Sequence, residues 1–223
     1  MDKRKRDKMI RVVLFDFNGV LDKINEERIR AIEDVVEDID VNLKKHAAEV
    51  LVDIEMFDKY NPSDTMKNIV TKAFAKFLEK KEIKNYDAEK LSDKYTKARE
   101  KYKGIQGKTE NVLKYLKSKG MKLFIVSHSK KADIMHLFMK HNISDNFFDA
   151  IYSTQDLGLK KPNMEILEKI IKENNLKPES CIFIGDNIIE DMLPAKAIGM
   201  KTVLISDFVD DFISNIDDIR KLV

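Results

Sequence analysis

The segment richest in potential chemistry is Phe15-Asp16-Phe17-Asn18-Gly19-Val20-Leu21-Asp22, where a carboxylate directly follows a short apolar run. If that run is a strand of an open parallel sheet, Asp16 stands at its carboxyl end, where such sheets leave their binding crevice. A carboxylate there can act as a nucleophile on phosphorus, splitting one hard displacement into two easier ones through an aspartyl phosphate. The plainer reading is an Asp that caps a turn, with Gly19 relieving the backbone. This motif alone does not separate the two.

A second acidic group lies far along the chain in Gly185-Asp186-Asn187-Ile188-Ile189-Glu190-Asp191. Acids gathered at one sheet edge repel one another unless a hard, oxygen-seeking cation such as Mg²⁺ holds them, and such a cation also neutralises a transferring phosphoryl group. The competing reading, that acids in a first helical turn favour the helix dipole, covers Glu190 or Asp191 but explains Asp186 less well. Two further stretches complement the acids. Val126-Ser127-His128-Ser129 offers hydroxyls and backbone amides ahead of a helix, a phosphate-sized anion site, although either serine could simply cap that helix. His128 could shuttle a proton or touch substrate, but a lone turn histidine is more often a surface or packing residue. Gly158-Leu159-Lys160-Lys161-Pro162 places a cation on a loop, where Lys161 can bridge the Asp16 carboxylate and a phosphate while Lys160 reads as an ordinary solvated lysine.

These residues need a scaffold that brings them together. Five short apolar, β-branched runs read as buried strands: Ile10 to Phe15, Lys122 to Ser127, Ala150 to Ser153, Cys181 to Ile184 and Thr202 to Ile205. From the second onward, helix-periodic segments separate them, at Ala132 to His141, Met164 to Glu173 and Ile188 to Ile198. The alternation predicts a parallel sheet covered on both faces by right-handed crossovers, with the candidate residues at the strand ends. Gly120, Asn142 and Gly199 stand where left-handed helix ends are wanted. Between the first two strands lies a charged stretch too long for one crossover. Ile29, Ile32, Val36 and Ile39, then Ala47, Val50, Leu51 and Ile54, recur at helical spacing. Pro62 breaks the chain, Ser63 offers an N-cap for a helix carrying Ile69 to Leu78, and Asp87 caps another carrying Leu91 and Tyr95. The expectation is a four-helix insertion over residues 23–108, with residues 1–22 and 109–223 forming the sheet domain.

Composition narrows the classes further. The 223 residues carry 41 Lys and Arg against 39 Asp and Glu, so no global field points to nucleic acid or an anionic membrane. Cys181 is the single cysteine, which excludes a disulfide framework within the chain and a thiol-based metal cluster. The apolar runs are strand-sized, and Met1 to Lys8 lacks the apolar segment of a signal peptide, so a cytoplasmic protein is expected. The basic residues of that stretch read as a solvated terminus.

Taken in order along the chain, Asp16 to Val20, Ser127, Lys161 with Pro162, and Gly185-Asp186 through Asp191 resemble the four motifs of the haloacid dehalogenase superfamily, in its phosphoglycolate phosphatase-like branch. The resemblance spans roughly residues 9–206, the helical insert matching only in position and type. It implies an α/β fold with a Rossmann-like parallel sheet core and an inserted helical cap. It further implies Asp16 as nucleophile and Mg²⁺ ligand, the Asn18 backbone carbonyl and Asp186 as further metal ligands, Ser127 and Lys161 on the phosphoryl oxygens, and Asp191 as a supporting acid. The implied activity is phosphate release from a small-molecule phosphate ester, with no nucleic-acid or membrane partner.

One position departs from the pattern. Phosphatases of the family carry a second Asp two residues after the nucleophile, whose side chain protonates the leaving group, and here it is Asn18. A carboxamide cannot donate a proton and then accept one at neutral pH. A weakly active or inactive phosphate-binding relative therefore stands as the alternative. Dehalogenase chemistry, which needs no leaving-group proton, ranks third because the Asp186 and Asp191 pair has no use there.

Overall fold

The computed structural model describes residues 9–61 and 63–205. The basic N-terminal stretch and Pro62 lie outside the described residues. Contacts divide the chain into two compact units, Ile24–Lys103 and the chain on either side of it.

The flanking unit is built on five parallel strands, β1 (Val12–Phe15), β2 (Lys122–Ser127), β3 (Ala150–Ser153), β4 (Cys181–Gly185) and β5 (Lys201–Leu204), in the order β3-β2-β1-β4-β5. Strand side chains alternate between faces, and this sheet buries both. Val13, Phe15, Leu123, Ile125, Ile182 and Ile184 pack on one side with Val112, Leu113 and Leu116 of α5 (Thr109–Ser118) and Ile134, Leu137 and Phe138 of α6 (Lys131–Lys140). Val12, Leu14, Phe124, Val126, Cys181 and Phe183 pack on the other with Ile166, Leu167 and Ile170 of α7 (Glu165–Glu173) and Ala195 of α8 (Leu193–Ala197). That double burial is why each strand reads as a continuous apolar run. Gly120, Asn142 and Gly199 all take positive φ at helix ends.

The β1 register pairs Phe15 with Ile125 on one side and Ile184 on the other, so the carboxyl ends of the three central strands lie level. The segment expected to be one helix from Ile188 to Ile198 is instead a π-turn over Ile188–Met192 followed by α8. Pro194 explains the break: it has no N–H to offer the carbonyl four residues back, and the N–H of Leu193 reaches past one residue to Ile188 O.

The second unit contains α1 (Ile24–Glu37), a 3₁₀ turn (Val41–His46), α2 (Ala47–Tyr60), α3 (Met66–Lys80) and α4 (Ala88–Tyr102). Its separate core includes Ile32, Val36, Val50, Ile54, Ile69, Phe74, Phe77, Leu91 and Tyr95. Asp87 caps α4, accepting from the N–H groups of Glu89 and Lys90. The cap of α3 is Thr65, which accepts from Asn68 N, and not Ser63. Because α3 opens at Met66, Ser63 sits too far upstream to reach its free N–H groups.

The sequence boundary at 108 also falls late. Gly104–Lys108 belongs with the sheet unit, since Lys23 N donates to Gly104 O at 3.0 Å, Gln106 N donates to Leu21 O at 2.9 Å, and Ile105 bridges antiparallel to Asp22 while joining the sheet unit's core. Outgoing and returning chains are thus fastened side by side. Among the described residues, no helix is long and apolar enough to cross a membrane.

Candidate active site

Asp16 is the first residue beyond β1, and its N–H donates to Ile184 O at 2.8 Å, tying it to the end of β4. The same level of β4 yields Gly185 and then Asp186, so two carboxylates distant in sequence become neighbours through strand register. The π-turn brings in the third: Asp16, Asp186 and Asp191 each offer an oxygen within 4.8 Å of the others. Two glycines make room for this. Gly19 has φ +76°, and a Cβ there would overlap Asp186 Oδ2. A Cβ on Gly185 would overlap Asp191 Oδ2. Any larger residue at either position would push an acid out of the cluster.

Lys161 is the cation among them. It is 7% exposed and donates to Asp16 Oδ1 at 2.7 Å and Asp191 Oδ1 at 2.8 Å, while its neighbour Lys160 faces solvent. Asp191 is occupied on its other oxygen too, accepting from Asn187 N at 3.2 Å. Its bonds are thus spent on holding the loop and the lysine.

Three acids stand against one lysine in this cluster, and burial and charge both act on its titration. Burial pushes the Asp16 carboxyl up to about 6; Lys161 works against this and the charge of Asp191 adds to it. Asp186 reaches solvent on one side, yet desolvation by the surrounding protein and then the charges of Asp16 and Asp191 push it up to about 7, against the pull of Lys161. Burial works to lower the Lys161 ammonium, but Asp16 and Asp191 outweigh it and hold its pKa above the usual lysine value. Close carboxylate oxygens with unmet negative charge are the donor set a hard divalent cation prefers. The residues present therefore fit Mg²⁺.

Ser127, fully buried at the end of β2, faces this edge together with Ser129. Both hydroxyls donate to Asn18 Oδ1, at 3.2 and 2.9 Å, and Ser127 Oγ accepts from Ser129 N at 3.0 Å. Asn18 Nδ2 in turn donates to Asp22 Oδ2 at 2.9 Å. His128 has partners of its own: Nδ1 lies 2.9 Å from Thr154 Oγ1 and Nε2 lies 3.3 Å from Glu190 Oε2. The hydrogen bond from His128 holds the Glu190 carboxyl below its ordinary value.

The structure thus gathers Asp16, Lys161, Asp186 and Asp191 directly, and Asn18 with Ser127 and Ser129 beside them. Thr154, and the engagement of His128 by Glu190, had no counterpart among the sequence expectations. Thr154 follows β3 just as Ser127 ends β2, and that parallel was the available signal.

Comparison with known proteins agrees with this architecture. A family model described as haloacid dehalogenase-like hydrolase matches residues 13–205. The chain is 31% identical over 122 residues to the glyceraldehyde 3-phosphate phosphatase of Methanocaldococcus jannaschii, covering 52% of this chain and 53% of that protein. It is 32% identical over 120 residues to pyrophosphatase PpaX of Halalkalibacterium halodurans, covering 53% of each. The chain spans about half the length of the curated relatives it matches. Among solved structures, the HAD-hydrolase YfnB from Bacillus subtilis, bound to magnesium, shares the fold at a TM-score of 0.71 and 18% identity, over 96% of this chain and 99% of that one. Since the family match runs from within β1 to just past β5 and takes in the acidic cluster, its lysine and both site glycines, the chain belongs to the haloacid dehalogenase-like hydrolase family.

Proposed function

We propose that the protein is a Mg²⁺-dependent phosphatase that acts on a small phosphorylated metabolite through an aspartyl phosphate on Asp16. The observation that carries this reading is the convergence of three carboxylates, two of them on one buried lysine, with more negative charge than the lysine balances. A phosphoryl-transfer site needs that surplus, because the reaction brings in a dianion that only additional positive charge can accommodate. Relatives named as phosphatases and a fold neighbour described as magnesium-bound support the same reading.

In this scheme Asp16, Asp186 and the Asn18 backbone carbonyl would hold Mg²⁺, with Asp191 supporting. Bound there, it would supply the charge neutralisation that lets an anionic nucleophile approach an anionic ester. Lys161 favours the ionised form of Asp16 and fixes one of its oxygens, so the other attacks phosphorus as the bond to the leaving oxygen breaks. Ser127 and Lys161 bind the phosphoryl oxygens. Water then attacks the phosphorus of the aspartyl phosphate, releasing inorganic phosphate and restoring the carboxylate. The leaving oxygen must find its proton in solvent, since the Asn18 carboxamide has none to give. General acid help is worth roughly 10² to 10⁴-fold, so the enzyme should favour esters with weakly basic leaving groups. The helical unit takes the part of a cap that selects the substrate.

Asn18 also favours a second reading, a phosphate-binding relative with little turnover. A panel of aryl and alkyl phosphates with Mg²⁺, run beside 2-chloropropionate, separates the cases. The proposal expects phosphate release, faster from aryl esters, lost on chelation and lost in Asp16→Ala. Binding of phosphate without release supports the second reading, and halide production without Mg²⁺ overturns both.

A further inference from the structure

Asn18 is bonded at both ends of its carboxamide, and its partners dictate which end is which. Asp22 presents an acceptor at 2.9 Å, so the NH₂ must face it and the oxygen is left to collect the hydroxyls of Ser127 and Ser129. Asp22 is a rigid anchor for this. It is 6% exposed, its Oδ1 accepts from Gly19 N at 2.7 Å, its own N–H donates to Phe17 O at 3.0 Å, and its carbonyl accepts from Gln106 Nε2 at 3.2 Å. It also pairs antiparallel with Ile105, where the chain leaves the sheet unit and returns to it.

We propose that Asp22 is a positioning residue of the phosphate site, acting through Asn18: by fixing the carboxamide, it holds the Ser127 and Ser129 hydroxyls in register for a phosphoryl group. This rests on the reading of Ser127 as a phosphate ligand. In the resting site both hydroxyl protons point at Asn18 Oδ1, and binding phosphate turns them from one acceptor to another without moving the serines. The resemblance left Asn18 as a missing acid, whereas here it is one half of an amide-carboxylate pair whose acidic half stands at position 22.

The pair is reciprocal, and this makes it testable. Exchanging its members as N18D/D22N leaves each of these donors an acceptor: the carboxylate now at position 18 takes the two hydroxyls and the NH₂ of the amide now at position 22, whose oxygen takes Gly19 N–H. Either single change breaks the pattern. Asn18→Asp sets two carboxylates against each other, and Asp22→Asn sets two NH₂ groups together unless Asn18 turns its NH₂ toward the serines.

The experiment is a double-mutant cycle in which titration calorimetry with Mg²⁺ reads the dissociation constant of inorganic phosphate and thermal melting reads stability. Each single substitution should weaken phosphate binding about tenfold, the size of one lost charge-assisted hydrogen bond. The exchange should return it to within about threefold of the unaltered protein and the thermal midpoint to within about 1 °C. Losses that multiply in N18D/D22N, or an Asp22→Asn affinity within about twofold of the original, would overturn the proposal. If phosphate binds none of the four proteins, the phosphate-site reading falls. The midpoints then decide the pairing alone, recovery on exchange sustaining it and additive losses rejecting it.

Discussion

Each unit of the molecule holds a buried acid paired with a cation, and the two differ in balance. In the helical unit Glu27, 4% exposed, meets Arg99 Nε at 2.6 Å, one anion against one cation, and Arg99 also lies over the Tyr95 ring at 5.7 Å. In the sheet unit Lys161 is shared by Asp16 and Asp191, with Asp186 close by. A balanced pair satisfies itself and fastens one helix to another. In the unbalanced cluster burial, with neighbouring acids adding to it, keeps two carboxyls well above their ordinary values, and charge is left over for something from outside. Charge surplus together with burial sets this cluster apart from the Glu27 and Arg99 pair.

The contrast breaks first at Asp16, the proposed nucleophile. Asp16→Asn should cut phosphate release by at least about 10⁴-fold while leaving the fold intact, because it removes an acid from a cluster with too many. Steady-state rates and a circular dichroism melt check both halves. Lys161→Met should do the opposite to stability. It leaves Asp16 and Asp191 facing each other uncompensated, which costs about 3 kcal/mol, and it lowers kcat/KM by about 10² to 10³-fold.

A pH series sharpens the comparison next. Asp16 and Asp186 titrate higher in the folded protein than in the unfolded chain, so the folded state keeps protons that the unfolded state has released. Their contribution to stability is present at low pH and is lost as pH rises from the ordinary carboxylate range through about 6 to 7. Metal-free protein should therefore melt on the order of 5 °C lower at pH 8 than at pH 5, and saturating Mg²⁺ should remove most of that difference.

At Glu27 and Thr65 in the helical unit the effects should be purely structural. Glu27→Gln should cost about 2 kcal/mol by urea unfolding and leave kcat within about twofold. Smaller still, Thr65→Ala should cost about 1 kcal/mol through the lost cap on α3, with no change in activity.

The sheet was legible because both of its faces are buried: Val12–Phe15 and Cys181–Gly185 are apolar without interruption, and a strand end followed by a carboxylate could be read directly. Asp16 and Asp186 were legible because each directly follows a strand, and Lys161 because it follows a recognisable turn at Gly158. What escaped the sequence depends on three-dimensional hydrogen bonding. The π-turn at Ile188–Met192 carries a helical pattern that Pro194 cuts short, and the side toward which His128 turns is set by Thr154 and Glu190, which are 26 and 62 residues away. The role of Asn18 was obscured most. Its type spoke of a lost acid, and only the structure shows the Asp22 carboxylate bonded to it.

The most direct test is to acid-quench the protein during turnover of an aryl phosphate with Mg²⁺ and map the phosphorylated peptide by mass spectrometry. The account predicts a phosphoryl group on the peptide containing Asp16, acid-stable but labile to hydroxylamine, and absent from Asp16→Asn and from chelated protein. Phosphate release with no modified peptide, or a label that persists in Asp16→Asn, would contradict it.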